Sequence, residues 1–550
     1  MKVSGLAALG AAGVLIGGCS QEQKDEREAQ SASRGQKLPA GEADLELRLR
    51  AAPAEVQILP GPPTRVWSYQ GEIVKGEAGA LQELPGSYLG PILHVRKGQR
   101  VRIHFTNEIE DRTVVHWHGL HVPWEMDGHP IYSIEPGESY TYEYQVRNRA
   151  GTYWYHPHPH QLTGPQVYYG LAGLFLVSDP EEAGLGLPTG KYDLPIVIQD
   201  RTLDHNNQLV YLTGGQMERM SGALGNQILV NGQVDPELSL EKRAYRLRLL
   251  NGSNSRIYKL AWEDGSPLTV VATDGGLLEK PVRRPYLTLA PGERVDLWAD
   301  FSAIENRKEV NLVSLPFTLP TMGGMMGGSG GMGPGMSGRG MGGPMGGMGG
   351  RGLRSRGAPA DQARSDLPNG SQFPVLRIKV EGKAQDAPSL PQRLSNIPRY
   401  QAREAANYQD PRVFRLGMQR MAWTINGRTF EMRDVAEEEI VPVDTLISWI
   451  YENGGAGMGM MGGMPHPMHI HGVHFQIVER EIDRAYRDAW ETVREGYVDE
   501  GWKDTLLLMP GERVKLLLKF EEFTGLYLNH CHNLEHEDLG MMRNVKVVEA

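Results

Sequence analysis

The residues with the most chemical content stand near the end of the chain: His530-Cys531-His532, then His536, then Met541, in the stretch HCHNLEHEDLGM. Two imidazoles, one thiolate and a weak axial thioether form the ligand set of an electron-transfer copper site. Cys531, His536 and Met541 offer three of those four from one strand and the turn after it. Side chains alternate along a strand, so His530 and His532 point together, away from Cys531. One tripeptide then touches two metal sites, a covalent path for electrons. A buried cysteine between two surface histidines would leave the later His and Met unexplained.

Three more His-x-His pairs precede it: His116/His118, His156/His158 and His469/His471. Imidazoles spaced i, i+2 share a face on a strand and diverge on a helix. Imidazole suits copper, zinc, iron and nickel alike, so the histidines do not name the metal; the Cys/His/Met set does. His466 completes that set. Pro467 is expected to break the strand, letting His466 face Cys531 while His469 and His471 face the histidine cluster.

The elements that must position these residues read as short strands. Pro91–Ile103 is typical, with two apolar runs about a Lys97-Gly98 turn, and such spacing argues for antiparallel β-sandwiches. Helical periodicity is confined to short windows such as 402–407 and 484–494. An internal repeat supplies the organisation. Pro-Gly-Glu occurs at 136–138, 291–293 and 510–512, each leading into an extended run. Pro136 lies twenty residues before His156, and Pro510 twenty before His530. Gly151-Thr-Tyr-Trp-Tyr-His156-Pro-His158 aligns with Gly525-Leu-Tyr-Leu-Asn-His530-Cys-His532, and His116-Trp-His118-Gly119 with His469-Ile-His471-Gly472. The middle copy arrives at Asn311 with no histidine. The outer domains therefore bring the ligands to a shared boundary, only the last can build a thiolate site, and the middle one reads as a spacer. The expected division is 47–182, 183–385 and 386–550.

At 550 residues and net charge −10, the chain is long enough for about three domains and has no basic tract pointing to nucleic acid. Its two cysteines, Cys19 and Cys531, cannot make a disulfide framework. Residues 1–18 read as an export signal, because the apolar run from Leu6 to Gly18 is too short to span a bilayer. Its end, Leu15-Ile16-Gly17-Gly18-Cys19, resembles a bacterial lipobox, which implies lipid attachment at Cys19 and a periplasmic, membrane-tethered protein. With no twin arginine in it, the signal reads as one for export unfolded, with copper loaded outside the cytoplasm. Residues 19–46, rich in Gln, Glu, Lys, Ser and Ala, read as a disordered tether.

The four histidine motifs, in this order over nearly all of 47–550, resemble those of the multicopper oxidases. The resemblance implies an all-β protein of three consecutive cupredoxin-like Greek-key β-sandwich domains, acting as a monomer. It implies four copper ions. His466, Cys531, His536 and Met541 would hold a type 1 copper, and His116 and His469 a type 2 copper. His118, His156, His158, His471, His530 and His532 would hold a type 3 pair. No ligand position departs from the family pattern. The implied chemistry is four one-electron oxidations of a donor coupled to reduction of O2 to water. Asp127 and Glu537 resemble acids to which bacterial cuprous oxidases assign proton delivery. Asp504, in a Trp-Lys-Asp-Thr phrase, reads as structural. His121, His129, His160 and His474 lie near the motifs but outside ligand positions.

The donor is read from methionine. Between 321 and 350 the chain is almost pure Gly and Met, with Met322, Met325, Met326, Met332, Met336, Met341, Met345 and Met348. Soft thioethers select Cu(I), so this insert is expected to gather cuprous ions, as a comparable insert does in the bacterial cuprous oxidases it resembles. Met464, two residues before His466, is a further candidate, although Gly462 stands where an acidic partner is expected. A phenol or another metal ion such as Mn(II) is the alternative donor, and a copper-storage protein the alternative class.

Overall fold

The computed structural model describes residues 41–305, 308–320, 367–383, 388–454 and 463–550. The export signal, Cys19, most of the tether, Gly462 and the eight methionines from Met322 to Met348 lie outside these residues.

Strands dominate, as the spacing predicts, and they group into three pairs of sheets. Residues 45–178 form a four-stranded and a five-stranded sheet, 193–381 a seven-stranded and a five-stranded sheet, and 412–548 two five-stranded sheets. The first strand, Leu45–Val56, begins two residues before the expected boundary at 47. Each pair encloses its own apolar core. Strands covered on one side alternate between buried and half-exposed residues, as Arg100–Asn107 does from end to end. The expected helical windows are only short turns, at Ala402–Glu404 and around Arg487–Glu491.

The sandwiches are largely antiparallel, as the spacing argues, with one exception in every sheet. Each of the six sheets holds one parallel pair: Leu45–Val56 with Arg100–Asn107, Ile92–Arg96 with Gly173–Ser178, Asp193–Arg201 with Ala244–Asn251, Glu237–Glu241 with Phe373–Glu381, Arg412–Gln419 with Ile447–Asn453, and Ile440–Pro442 with Met542–Val548. Parallel neighbours cannot be joined by a tight hairpin, and the strands of each of these pairs are separated in the chain by a long connection. The same exception in all three units is itself a mark of the repeat. The Pro-Gly-Glu turns are equivalent too. Gly137, Gly292 and Gly511 all have positive φ, at 84°, 84° and 74°, and each turn feeds a strand.

The units adhere through smaller apolar clusters. Val66, Tyr88 and Trp154 of the first meet Val197, Leu229 and Leu250 of the middle one. Ile257, Ala290 and Phe317 meet Val493, Leu507 and Met509 of the third.

Phe414 is fully buried in the third core, with its ring 4.5 Å from that of Trp449. Phe414→Ala is expected to lower stability by about 3–5 kcal/mol, read as a shift in the denaturant midpoint.

Candidate metal centre

The two outer units deliver their histidines in one register. Strand Val115–His118 pairs antiparallel with Gly151–Pro157, placing His116 opposite His156. Strand His466–Ile470 pairs antiparallel with Gly525–Cys531, placing His469 opposite His530. The eight motif imidazoles are buried where these sheets meet, and rings from the two units interleave. His116 stacks on His471 and His118 on His469, each with centroids 3.7 Å apart.

Ring nitrogens converge in three groups: His116, His118 and His469; His118, His156 and His532; His158, His471 and His530. Within them His116 Nε2 lies 3.4 Å from His469 Nε2, His118 Nδ1 3.4 Å from His156 Nε2, and His530 Nε2 3.0 Å from His471 Nε2 and 3.2 Å from His158 Nε2. The outward nitrogens fix which side faces inward. His116 Nδ1 donates to the Asp127 carbonyl at 2.6 Å and His469 Nδ1 to the Asp504 carbonyl at 2.8 Å. His156 Nδ1 donates to the Pro157 carbonyl at 2.8 Å, and His471 Nδ1 to Asp127 Oδ2 at 2.7 Å. His118 is turned the other way: its Nε2 donates to Asp504 Oδ1 at 3.1 Å, leaving Nδ1 inward.

These imidazoles fit a metal cluster. Burial, reinforced by neighbouring imidazoles, pushes His116, His118, His158, His471 and His532 well below the ordinary histidine range and His156 to about 3, so their inward lone pairs are free at neutral pH. Both ring nitrogens of His532 are buried without a hydrogen-bond partner. Such a group is costly to bury unless something else satisfies it.

On the other side of the tripeptide, Cys531 Sγ lies 3.5 Å from His466 Nδ1 and 3.7 Å from His536 Nδ1, and the two nitrogens are 3.1 Å apart. The Met541 carbonyl accepts from Cys531 N at 3.0 Å, and its N donates to the His536 carbonyl at 2.9 Å, which folds Met541 back into the same buried core. Burial pushes the Cys531 thiol far up and His466 down to about 3. A bound cation reverses the first of these, since a coordinating thiol is deprotonated outright. Thiolate, two imidazoles and a thioether are a copper donor set.

Pro467 does not break the strand, contrary to the sequence expectation. His466–Ile470 is continuous, and alternation alone separates His466 from His469 because three is an odd spacing. Pro467 has no N–H to lose, and its carbonyl accepts from His532 N at 2.6 Å.

Residues 66–182 and 405–550 match family models described as multicopper oxidase. A multicopper oxidase of Staphylococcus aureus is 31% identical over 87% of this chain and 86% of its own length. A laccase of Bacillus subtilis is 29% identical over 89% and 91%. The solved structure of the McoA multicopper oxidase of Aquifex aeolicus superposes with a TM-score of 0.70, at 31% identity, over 92% of this chain and 96% of that one.

The chain is a multicopper oxidase. As such it is a copper-dependent oxidoreductase with dioxygen as acceptor, built on the cupredoxin fold.

Around the ligand sites of this oxidase, Asp127 and Glu537 are both buried. Burial raises the Asp127 carboxyl well above its ordinary range, and its Oδ1 has no hydrogen-bond partner. Glu537 Oε1 accepts from Thr163 Oγ1 at 2.7 Å, and its carboxylate comes within 3.5 Å of His158 Nε2 and 3.3 Å of His530 Nδ1. His129 is buried, accepting from Ile131 N and donating to Asn544 Oδ1 at 2.9 Å. The rings of His121 and His474 lie 4.5 Å apart, outside the three groups. Met464 packs on the third core.

The middle unit is more than the expected spacer. Gly292, from its Pro-Gly-Glu turn, lies so close to His532 that a Cβ there would stand 3.0 Å from the ring. Arg294, next but one, grips Asp504 with two hydrogen bonds. Asp504, read from the sequence as structural, orients both His118 and His469. Met220, in the short helix Gln216–Ser221, accepts from His536 Nε2 on its carbonyl at 3.0 Å. The sequence reading singled out neither Arg294 nor Met220; the turn at 291–293 placed Arg294 directly after it, and nothing in the sequence pointed to Met220.

Cys531→Ser is expected to abolish the thiolate-to-copper absorption in the visible, while the purified variant still binds metal at the histidine cluster. Metal analysis per chain together with the absorption spectrum checks this.

Proposed function

We propose that His466, Cys531, His536 and Met541 hold a type 1 copper and that His116 and His469 hold a type 2 copper. His118, His156 and His532 then hold one ion of a type 3 pair, and His158, His471 and His530 the other. Four coppers are thus assigned. The observation that carries this is the partition of ring nitrogens about Cys531, with thiolate and imidazole faces opposed on one strand. Bound there, copper supplies one-electron oxidation of a donor at the Cys531 site and reduction of O2 to water at the histidine cluster. Asp127 and Glu537, buried against cluster imidazoles, are placed to hold the protons that this reduction consumes.

The donor we favour is Cu(I), in copper tolerance. A cavity of about 370 Å³ opens beside the Cys531 site, walled by Met220, Met421, Leu539, Leu212 and Arg219. Whatever sits against Met220 is one hydrogen bond from His536. Thioethers at that wall, with the methionines at 322–348 and Met464, favour a soft cuprous ion. Met421 is presented from a hairpin turn in which Arg420 and Met421 both have positive φ, 48° and 66°, a conformation that normally draws Asn-Gly. The second reading is a laccase-like oxidase of phenols or Mn(II), since the cavity also has room for a phenol. Storage of copper would have no use for two different sites joined through Cys531.

We place the protein in the bacterial periplasm, lipid-anchored through Cys19. No helix among the described residues is long and apolar enough to cross a membrane, and the lipobox-like ending is the support for the anchor. Mass spectrometry of the mature N-terminus should find a diacylglyceryl-modified Cys19; an unmodified or missing Cys19 sinks that part.

Oxygen uptake by the copper-loaded protein, with Cu(I) and a phenol offered separately, tests the donor. Uptake at least about tenfold faster with Cu(I), and lost on deleting 322–348, is expected. Faster uptake with the phenol makes the protein laccase-like. No uptake with either, despite a thiolate–copper absorption, leaves neither Cu(I) nor the phenol as the donor and favours electron transfer or storage.

A further inference from the structure

The middle unit contributes no histidine to the cluster, yet the most completely bonded side chain near it is one of its own. Arg294 is fully buried, and all five of its guanidinium N–H groups are used. Nε donates to the Thr152 carbonyl of the first unit at 3.0 Å. Nη1 donates to the Gly292 carbonyl at 3.0 Å and to Asp504 Oδ1 at 2.7 Å, and Nη2 to the Asp274 carbonyl at 3.0 Å and to Asp504 Oδ2 at 2.6 Å. One side chain therefore joins all three units, and its two-point grip fixes the plane of the Asp504 carboxylate.

Asp504 in turn holds one imidazole from each outer unit. Its Oδ1 accepts from His118 Nε2 at 3.1 Å, and its carbonyl accepts from His469 Nδ1 at 2.8 Å. Those two rings are the pair stacked at 3.7 Å. The backbone on either side is shaped to admit the ion pair. Gly119, directly after His118, has φ 87°, and a Cβ there would stand 2.5 Å from Asp504 Oδ2 and 2.8 Å from Arg294 Nη2. Asp274 completes the frame: its Oδ1 accepts from Arg294 N at 2.8 Å, and its Oδ2 pairs with Lys503 Nζ at 2.9 Å.

We propose that Arg294 is a positioning residue for the histidine cluster, by which the ligand-free middle unit sets the orientation of His118 and His469 through Asp504. The inference rests on the copper assignment above, in which His118 serves the type 3 pair and His469 the type 2 ion. It makes assembly of the cluster depend on docking of the middle unit, whereas the Cys531 site lies on the opposite face of its strand and has no bond to Arg294 or Asp504. Arginine is required as a planar fork, and lysine keeps the charge without the geometry.

The test compares copper-loaded wild type, Arg294→Lys and Arg294→Met, with Arg256→Lys as a control. Arg256 is an equally buried arginine whose partners, Asp200 and the carbonyls of Gly225 and Leu367, all belong to the middle unit. Copper per chain, the thiolate–copper absorption and the ratio of type 2 to type 1 EPR signal are read on each, with the melting temperature. Loss of a partner that orients a ligand lowers metal affinity about 10–100-fold. Arg294→Lys should weaken copper binding at the cluster by that factor and change the type 2 spectrum, with the type 1 absorption retained, and Arg294→Met should do so more strongly. Arg256→Lys should lower the melting temperature with the type 2 to type 1 ratio unchanged. Wild-type ratios and type 2 spectra in the Arg294 variants would overturn the proposal, as would loss of both signals in step. If Arg294→Met does not fold, Arg294→Lys decides alone. Wild type that forms no type 1 and type 2 signals at all would fail the copper assignment instead.

Discussion

Eight imidazoles are buried where two β-sandwiches meet, with a thiol behind them in the core of one, and the rest of the molecule is arranged around the cost of putting them there. A buried polar group without a partner is unfavourable, and a buried charge far more so. The chain meets this by tying most of the outward nitrogens to a carbonyl or carboxylate, while the inward ones face each other. Inward lone pairs so close together are a donor set for a cation, so copper binding and stability are linked.

The same constraint explains why the ligands come from strands. A strand offers two faces with opposite contents, so His530 and His532 enter one site while the residue between them enters another. In the first unit the equivalent position is Pro157, which carries no ligand atom, and the strand there serves the cluster alone. The two outer units are thus one device used twice, in the same register, with a thiolate added once.

A device split across two units needs something to hold the halves in phase. The middle unit supplies it by packing against both neighbours through apolar clusters and by sending its turn at 291–294 between them. That turn has the same Pro-Gly-Glu form as the turns preceding the histidine strands. A strand-initiating turn has here become a contact with His532 and Asp504. On the outer side, the short helix Gln216–Ser221 closes over the Cys531 site, so the middle unit borders both that site and the histidine cluster.

The sequence by itself pointed to the strand class, the threefold repeat and the histidines and cysteine that converge in the structure. Those follow from local rules: i, i+2 spacing, residue chemistry and a repeated turn are visible along a chain. Even His466 obeyed parity more simply than the proline argument required, because an odd spacing already reverses the face. Tertiary structure alone decided that the ring nitrogens converge in three groups, that His118 presents Nδ1, and that Arg294 and Met220 reach the sites. It also decided the parallel pairs, which join strands far apart in the chain. These depend on which distant strands and units meet, and Arg294 with Asp504 or Met220 with His536 are separated by 210 and 316 residues. No local pattern encodes such a meeting, because it is fixed by packing of whole sandwiches.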